Sequence, residues 1–419
     1  MIRRSVRDVP LVVLALLLSL YGIAMVYSAG QTDPAVRTAA ATVWRSQVVW
    51  FGLGLTAAFV VSRATVRVVE WLTWPMYILS ILLLAVLLVP GIGGGAGTAA
   101  STKSWLVIGG LRLGQPAELA KLTVVLMLAR TLAQRREPPT SLLDLWKPAV
   151  IVGVPWLLIM AQPDLGSGLV FIGIFFALLF WAGVPWQLLV LLASPAVSLV
   201  LSFSVTLWGA WFLLLLALVL WYKPYLVEGV VLVVANVVMG VVAPILWDSL
   251  APYQQKRLLV FLDPQADPRG AAYHVIQSQT AIGSGGLFGS GWTLGPQKRL
   301  AFLPEQHTDF IFAVVGEELG FLGVTIALTL FLLLFLRIVR IAHRANEPFS
   351  GLVAFGLLAS WFVHVIVNVG MTVGVMPITG IPLPFFSYGG SFMLASWLAI
   401  GLLIRVSSEG RGRLGQVSV

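Results

Sequence analysis

Two ionisable residues lie at the start of one of the long apolar segments of this chain. Glu118 and Lys121, within 114–121, are three residues apart and therefore share one face of a helix. Charged side chains are costly at membrane depth, so residues of this kind are functional candidates by default. The two could form a structural ion pair that makes a buried lysine tolerable. Alternatively, the lysine could be a cation held at the mouth of a cavity to meet an anionic substrate.

Acidic residues also occur at two further boundaries between apolar segments. Asp164, in the short link 162–167, could simply cap the following helix, as aspartate commonly does, or belong to a site. Glu305, His307 and Asp309 fall within five residues at a helix start. A carboxylate there can cap the helix or act as a general base. The three side chains could also bind a divalent cation, although their spacing matches no strong metal signature.

The fourth candidate segment is irregular rather than charged. Residues 368–391 contain three prolines and five glycines at membrane depth. This indicates backbone that is buried by protein or lines a wet cavity; loose helix packing through small residues is the alternative. The glycine-rich stretch 283–292 resembles a phosphate loop only superficially, because no Gly-Lys-Ser/Thr sequence accompanies it. The stretch 273–282 could form an interfacial helix, and we interpret His343 and His364 as structural or peripheral.

The elements that position these residues are membrane spans. Of the 419 residues, 59% are apolar and 10% are charged, whereas soluble globular proteins are about 45–50% apolar and about 25% charged. This composition excludes an ordinary soluble domain and predicts an all-α polytopic membrane protein. The chain contains no cysteine, which excludes disulfides, thiolate metal sites and cysteine nucleophiles.

The apolar runs predict about twelve transmembrane helices of about 20 residues each. Nine lie within 1–247, a long extracytoplasmic loop follows at 248–308, and three lie within 309–419 before a short basic tail. We interpret the first span as a signal anchor, because its apolar run is longer than the core of a signal peptide. The predicted spans are 9–29, 46–62, 71–90, 115–134, 148–162, 166–183, 186–204, 206–222, 228–247, 310–336, 350–376 and 384–405.

The distribution of basic residues predicts the orientation in the membrane. Sixteen of the 26 Lys and Arg residues and seven acidic residues lie on the side of both termini, which therefore carries the whole net charge of +9. The positive-inside rule places both termini in the cytoplasm and the 248–308 loop outside. Three helices, or one helix with re-entrant pieces, are expected in 186–247, because two helices would put the basic segment 337–344 outside. The charge excess is thus a topology signal and does not indicate nucleic-acid binding.

Taken in this order, the segments resemble the SEDS family (shape, elongation, division and sporulation), which are polytopic polymerases of peptidoglycan glycan strands. The resemblance covers nearly the whole chain except part of 186–247, and residues 273–286 are more similar to the elongation members than to the division members. The matching segments are 103–105 with 108–109, 115–121, 162–167, 263–264 with 267–268, 283–292, 304–310 with 317–320, and 382–391.

The resemblance implies a glycosyltransferase of the bacterial cytoplasmic membrane that polymerises lipid II for cell elongation and shape. It also implies a class B penicillin-binding protein, of the PBP2 type, as the crosslinking partner. Asp309, in a His-Thr-Asp-Phe motif, is then the essential carboxylate, and Glu118 and Lys121 line a central cavity open to the outside. The further implied substrate-binding residues are Gln115, Glu305, His307, Lys103, Trp105, Asp164 and Ser387.

Two features depart from the family pattern. Ala117 stands where the family commonly has serine, so any role of that hydroxyl is absent. The family core has ten spans, so about two of the helices within 186–247 are expected to be an insertion.

These residues lead to a mechanistic hypothesis. Asp309 would deprotonate or orient the C4 hydroxyl of the acceptor N-acetylglucosamine, and undecaprenyl diphosphate would leave with inversion at the donor's anomeric carbon. Lys121, loop cations or a divalent cation such as Mg²⁺ or Mn²⁺ would meet the diphosphate. Two rival functions are a lipid II flippase or transporter, suggested by the span count and broken helices, and a membrane scaffold of the cell-wall machinery.

Overall fold

Fifteen α-helices and three short strands make up the described part of the chain. The computed structural model describes residues 8–33, 39–95, 103–109, 111–250, 252–263, 265, 267–268, 270, 272–303 and 305–414. The helices are α1 (Val9–Ala29), α2 (Val43–Arg63), α3 (Val66–Val86), α4 (Pro116–Ala133), α5 (Trp146–Met160), α6 (Leu165–Trp181), α7 (Trp186–Leu201), α8 (Val205–Tyr222), α9 (Leu226–Ser249), α10 (Pro252–Leu262), α11 (Tyr273–Ser284), α12 (Pro296–Arg299), α13 (Ile311–His343), α14 (Pro348–Thr372) and α15 (Gly390–Leu414). Residues used in the sequence interpretation that lie outside the described ranges are Arg3, Arg4, Arg7, Pro264 and Pro304.

Each of the twelve predicted spans overlaps one helix, α1–α9 or α13–α15, but residues 373–376 and 384–389 of the last two predicted spans lie in irregular backbone between α14 and α15. Within the described ranges, nine helices are long and apolar enough to cross a membrane, and α6 and α7 are apolar but shorter. Helix α4 is the remaining one of the twelve; its 18 residues include the charged Glu118, Lys121 and Arg130. The predicted polytopic helical fold is therefore confirmed.

Local signals in the sequence explain where several helices begin. The Asp8 carboxylate accepts a hydrogen bond from Leu11 N at the start of α1, and the Thr65 hydroxyl accepts one from Val68 N at the start of α3, both at 3.3 Å. Pro116 occupies the first turn of α4, where a missing N–H costs no helical hydrogen bond. The proline thereby sets the start of the helix that carries the predicted ion pair.

A small antiparallel sheet lies before α4 and was not predicted. Its strands are β1 (Gly93–Gly94), β2 (Trp105–Ile108) and β3 (Leu111–Gly114), in the order β1-β2-β3. In the sequence, Gly109 and Gly110 separate β2 from β3, a typical two-residue hairpin signal that the interpretation of the chain as all-helical overlooked. The hairpin places Trp105 near the start of α4.

A helix, α11, is present within the long loop at the predicted place; that it lies in the membrane interface stays a prediction. It extends beyond the predicted 273–282 and packs against α13 and α14. The Ser278 hydroxyl donates to the Thr372 carbonyl oxygen (2.8 Å), and the Gln279 amide donates to the Val373 carbonyl oxygen (2.9 Å). These bonds attach the loop to the end of α14.

The glycine-rich stretch 283–292 packs against a break in α13 and supplies hydrogen-bond partners there. At Gly320 the backbone leaves helical geometry (φ +61°, ψ −158°), so nearby carbonyl and amide groups lose their helical partners. The loop supplies them: Ser290 N donates to Glu317 O (2.9 Å), and Phe321 N donates to Gly286 O (2.9 Å). A Cβ atom on Gly320 would lie 2.4 Å from Gly289 N, so only glycine fits.

A fully buried ionic cluster anchors the same loop to the bundle. The Lys298 ammonium lies 2.7 Å from a Glu318 carboxylate oxygen and donates to the Ser28 carbonyl oxygen at 3.0 Å. The Ser28 hydroxyl donates to the other oxygen of Glu318 at 2.5 Å, and Glu317 accepts from Gln297 N at 2.6 Å. The cluster joins α1, α12 and α13 near the turn that precedes α13.

Three helices occupy 186–247, as expected, and they pack mainly on one another. They share a small apolar core of Leu191, Leu215 and Leu232, separate from the main core of the bundle. Between α7 and α9, the Ser198 hydroxyl donates to Asn236 Oδ1 at 2.6 Å. Interhelical polar contacts of this kind hold helices together where lipid provides no hydrophobic driving force. We call α7–α9 the three-helix unit; that two of its helices are an insertion stays a prediction.

Candidate active site

A cavity of ≈ 210 Å³ lies at the end of the bundle where α4, α6, α13 and α15 begin. Residues from five parts of the chain form its wall, together with Gln254 and Leu258 of α10 and His364 of α14. The five parts are 104–121, 163–167, 305–309, 377–382 and 388–392. Every one of the four segments singled out in the sequence therefore contributes to the same cavity.

The predicted pair of Glu118 and Lys121 forms a buried ion pair in this wall. The lysine Nζ lies 2.8 Å from Glu118 Oε1, and the two residues are 5% and 4% exposed. Lys121 Nζ is also 2.9 Å from Nε2 of His364, which is 1% exposed, and 5.4 Å from the centre of the Phe392 ring. The cation is thus held by a carboxylate, an imidazole and an aromatic face, away from bulk water.

Asp164 both caps a helix and lines the cavity, so the two readings of its role are compatible. One carboxylate oxygen accepts from Ser167 N at 2.9 Å, which caps α6. The other accepts from the Ser167 hydroxyl at 2.9 Å and from the Gln115 amide at 3.2 Å. Gln115 in turn donates its backbone N–H to Ser391 Oγ at 3.1 Å, which ties the start of α4 to α15.

Asp309 lies in a turn that several hydrogen bonds hold in place. Glu305 begins the turn at positive φ (+51°), and its carbonyl oxygen accepts from Thr308 N at 3.1 Å. The Asn368 amide donates to the Asp309 carbonyl oxygen at 2.9 Å. Phe310, not Asp309, occupies the cap position of α13, and it makes no side-chain cap. The Asp309 side chain lines the cavity and is only partly buried.

The irregular stretch 373–389 forms another part of the cavity wall. Asn368 donates to the Ile381 carbonyl oxygen at 2.7 Å, and Gln47 of α2 donates to the Ser387 carbonyl oxygen at 3.0 Å. Part of the stretch is buried by protein, as Phe386 is fully buried, and part lines the cavity. This confirms the prediction that the proline- and glycine-rich backbone is irregular at this depth.

Three predicted substrate-binding residues lie outside the cavity wall. Lys103 is exposed. The Ser387 hydroxyl donates to the Thr308 carbonyl oxygen (2.6 Å) and accepts from Leu383 N (2.7 Å), so it holds the backbone. The His307 ring lies 5.8 Å from that of Tyr388. Burial lowers the pKa of His307 below its usual value, although a nearby carboxylate opposes the shift. The predicted residues brought together in the wall are Trp105, Gln115, Glu118, Lys121, Asp164, Glu305 and Asp309.

The interpretation of His364 as peripheral is wrong, because its ring is buried and contacts Lys121 in the cavity wall; the structural alternative remains compatible with that position. His364 and Asn368 are four residues apart and therefore share a face of α14. Two polar residues four positions apart inside an apolar span indicate a polar face. This signal is present in the sequence and could have identified His364 as a candidate. His343 lies at the end of α13, beside Trp181, and the peripheral interpretation holds for it.

Within the described residues, no three His, Asp or Glu side chains are grouped so that they could hold a metal ion. Glu305, His307 and Asp309 are close in sequence, but the His307 ring does not line the cavity. A divalent cation bound here would therefore take most of its ligands from the substrate or water.

The chain matches known proteins along almost its full length. A family model described as cell cycle protein, FtsW/RodA/SpoVE, matches residues 9–211 and 208–412. The peptidoglycan glycosyltransferase MrdB of Escherichia coli is 38% identical over 361 residues, covering 85% of this chain and 83% of that protein. RodA of Treponema pallidum is 37% identical over 336 residues, covering 73% and 77%.

Solved structures show the same architecture. One belongs to a peptidoglycan synthase complex that coordinates polymerization and crosslinking; it has a TM-score of 0.70 and 30% identity and covers 97% of this chain and 98% of that chain. The crystal structure of RodA from Thermus thermophilus has a TM-score of 0.62 and 29% identity, covering 96% and 97%. These matches confirm the resemblance inferred from the motifs: the chain belongs to the FtsW/RodA/SpoVE (SEDS) family and is RodA-like.

Proposed function

We propose that this chain is a peptidoglycan glycosyltransferase that polymerises lipid II into glycan strands for cell elongation and shape. The observation that carries the proposal is the meeting of a partly exposed carboxylate, Asp309, and a buried ammonium, Lys121, in the wall of one cavity. Curated relatives with 37–38% identity are named as peptidoglycan glycosyltransferases. A reaction that deprotonates a sugar hydroxyl and expels a diphosphate needs one group of each kind.

In the proposed reaction, Asp309 accepts the proton of the C4 hydroxyl of the acceptor N-acetylglucosamine. The hydroxyl oxygen forms a bond to the donor's anomeric carbon from the face opposite the diphosphate. The bond between that carbon and the phosphate oxygen breaks, and undecaprenyl diphosphate leaves with its electron pair, so the anomeric configuration inverts. A positioned general base contributes about 10²–10⁴-fold to such a step.

Lys121 serves the other end of the reaction. Its ammonium is desolvated and already oriented by Glu118 and His364, so it stabilises the negative charge of the leaving diphosphate without reorganisation. A divalent cation, Mg²⁺ or Mn²⁺, would share that charge through the phosphate oxygens. Trp105, Gln115 and Asp164 line the wall beside the lysine and are proposed to bind the sugars of the donor.

The remaining predicted residues have weaker structural support. Glu305 lines the cavity one turn before Asp309 and is proposed to bind the acceptor. Lys103 is exposed two residues before β2 and is proposed to contact substrate outside the cavity. His307 and Ser387 act through the backbone of the turn: His307 O accepts from Tyr388 N at 2.9 Å, and Ser387 Oγ donates to Thr308 O at 2.6 Å.

The chain is a multi-pass membrane protein, and we propose that it lies in the bacterial cytoplasmic membrane with both termini in the cytoplasm. The basic segments support this orientation, which places the cavity and the 248–308 loop on the outer side. A class B penicillin-binding protein of the PBP2 type is the proposed partner. Its support is the similar solved complex that couples polymerization to crosslinking.

The test is polymerisation of labelled lipid II by the purified protein in detergent, with and without the penicillin-binding partner. The wild-type chain should form long glycan strands, and Asp309→Asn should form none while keeping its melting temperature and its partner. Glu137→Gln, which changes an exposed carboxylate at the opposite end of the bundle, is the matched control and should be fully active. Full activity in Asp309→Asn would refute the role of the carboxylate. Absence of polymer from the wild type with its partner would favour a flippase or a scaffold.

A further inference from the structure

The protonation of His364 follows from its two hydrogen bonds. Its Nε2 lies 2.9 Å from Lys121 Nζ, and its Nδ1 lies 2.9 Å from the Pro382 carbonyl oxygen. An ammonium group can only donate and a carbonyl oxygen can only accept. Therefore Nε2 accepts from Lys121, Nδ1 carries the proton, and the ring is neutral. A protonated ring would place two positive charges at this distance in a buried site.

The same two bonds leave one donor of Lys121 for a ligand. An ammonium has three N–H groups. In the described part of the chain, two of them meet Glu118 Oε1 at 2.8 Å and His364 Nε2 at 2.9 Å. Because Lys121 lines the cavity, the third N–H can meet an anionic group there. The carboxylate and the imidazole together fix where that third N–H is aimed.

His364 also connects Lys121 to the segment that lies beside Asp309. It holds the Pro382 carbonyl oxygen, and Asn368, one turn further along α14, holds both the Ile381 and the Asp309 carbonyl oxygens. One face of α14 thus binds two consecutive carbonyl groups of the irregular stretch and the backbone of the carboxylate residue. Side chains of α14 therefore contact both Lys121 and the backbone of Asp309.

We propose that His364 is a positioning residue that aims the Lys121 ammonium at the diphosphate of the lipid-linked donor. The inference rests on the proposed polymerase function and adds a residue to it. His364 touches no reacting atom; it acts by accepting a hydrogen bond from the cation that does. The imidazole suits this task because, unlike a second carboxylate, it orients the ammonium without neutralising the charge that the diphosphate needs.

Three substitutions of His364 distinguish the contribution of its hydrogen bond with Lys121 from that of its hydrogen bond with the Pro382 carbonyl oxygen. In His364→Gln the side-chain amide reaches the position of Nε2 and can still accept from Lys121. In His364→Asn the amide reaches the position of Nδ1 and can still donate to Pro382 but not contact the lysine. His364→Phe removes both hydrogen bonds and keeps an aromatic ring at this position. The His364 ring itself stacks on Phe392 at a centroid distance of 4.7 Å.

The measurement is kcat/KM for lipid II polymerisation by each purified full-length variant with its partner. Because hydrogen bonds to charged groups are among the strongest in proteins, His364→Asn and His364→Phe should lose about 10- to 100-fold, and His364→Gln should stay within about threefold of the wild type. Combined with Lys121→Met, His364→Asn should cause no further loss, since both changes remove the same interaction.

The outcomes are distinguishable. If the wild type forms no polymer, the proposed function itself fails. If the wild type is active and His364→Asn and His364→Phe keep its kcat/KM, or if His364→Gln is as impaired as His364→Phe, the positioning role is overturned. A loss in His364→Asn that adds fully to that of Lys121→Met would show a purely structural effect, and would also overturn it. Melting temperatures of all variants identify any loss caused by unfolding.

Discussion

Gly380 packs against the carboxylate of Asp309 so closely that a Cβ atom at Gly380 would lie 3.3 Å from Asp309 Oδ2. Gly380 also has a positive φ of +71°, a conformation that favours glycine. The irregular stretch after α14 therefore does more than line the cavity. It limits the positions that the side chain of Asp309 can take.

Gly380→Ala is expected to impair catalysis by displacing that carboxylate. Since misplacement of a reacting group by about 1 Å can cost 10²-fold, kcat/KM should fall about 10- to 100-fold. Gly183→Ala is the matched control, because Gly183 also has positive φ (+85°) and its Cβ would meet Pro138 at 3.3 Å, away from the cavity. Both variants should lose similar stability, and only Gly380→Ala should lose activity. Equal activity in both variants would contradict the proposal that Gly380 positions the Asp309 carboxylate.

Glu118→Gln is expected to destabilise the protein, because it leaves the buried ammonium of Lys121 without its counter-charge. Breaking one side of a buried ion pair costs about 3–5 kcal/mol, whereas replacing both partners with apolar groups is often close to neutral. The double variant Glu118→Leu with Lys121→Met should therefore regain most of the melting temperature in detergent.

That double variant should nevertheless remain a poor polymerase, since it lacks the cation proposed to meet the diphosphate. Stability and activity would then separate cleanly. Wild-type turnover in the stable double variant would show that the Glu118–Lys121 pair has a structural role alone.

Gly320→Ala is expected to detach the glycine-rich loop from the break in α13. The added Cβ would lie 2.4 Å from Gly289 N, and the positive φ is itself unfavourable by about 1–3 kcal/mol for a residue with a side chain. The melting temperature should fall and protease sensitivity of 283–292 should rise. Gly52→Ala, in α2, where the Cβ would meet no atom within 4 Å, should not lower the melting temperature. An unaltered Gly320→Ala variant would contradict the close packing.

His307 is expected to make the protein less stable as the pH falls. Burial lowers its pKa in the folded state, so the unfolded chain, with a pKa of about 6.5, binds a proton first. Stability therefore declines as the pH drops below that value. Thermal unfolding in detergent from pH 7 to pH 5 should show a larger decline for the wild type than for His307→Gln. Identical declines would refute this contribution.

The sequence contains the local part of the site. The spacing of Glu118 and Lys121 predicted a pair on one helical face, and the structure shows them 2.8 Å apart. The position of Asp164 before an apolar span offered a helix cap as one alternative, and that cap is present. Such features depend on neighbours within four residues, and helical geometry alone determines them.

The parts that were not predicted depend on distant contacts. His364 meets Lys121 across 243 positions of the chain, and helix periodicity says nothing about which faces of α4 and α14 meet. The break at Gly320 is similar, because its positive φ exists where the loop near Gly289 supplies the missing hydrogen bonds. A single sequence shows that Gly320 and Gly289 are glycines, but it does not show that their two segments contact each other.

The last helix completes the cavity: Ser391 and Phe392 of α15 line the wall beside residues of α4. A chain still emerging from the ribosome therefore has Lys121 and Asp309 in the membrane but no closed site around them. We therefore expect the proposed activity only in a chain whose α15 has packed against α2.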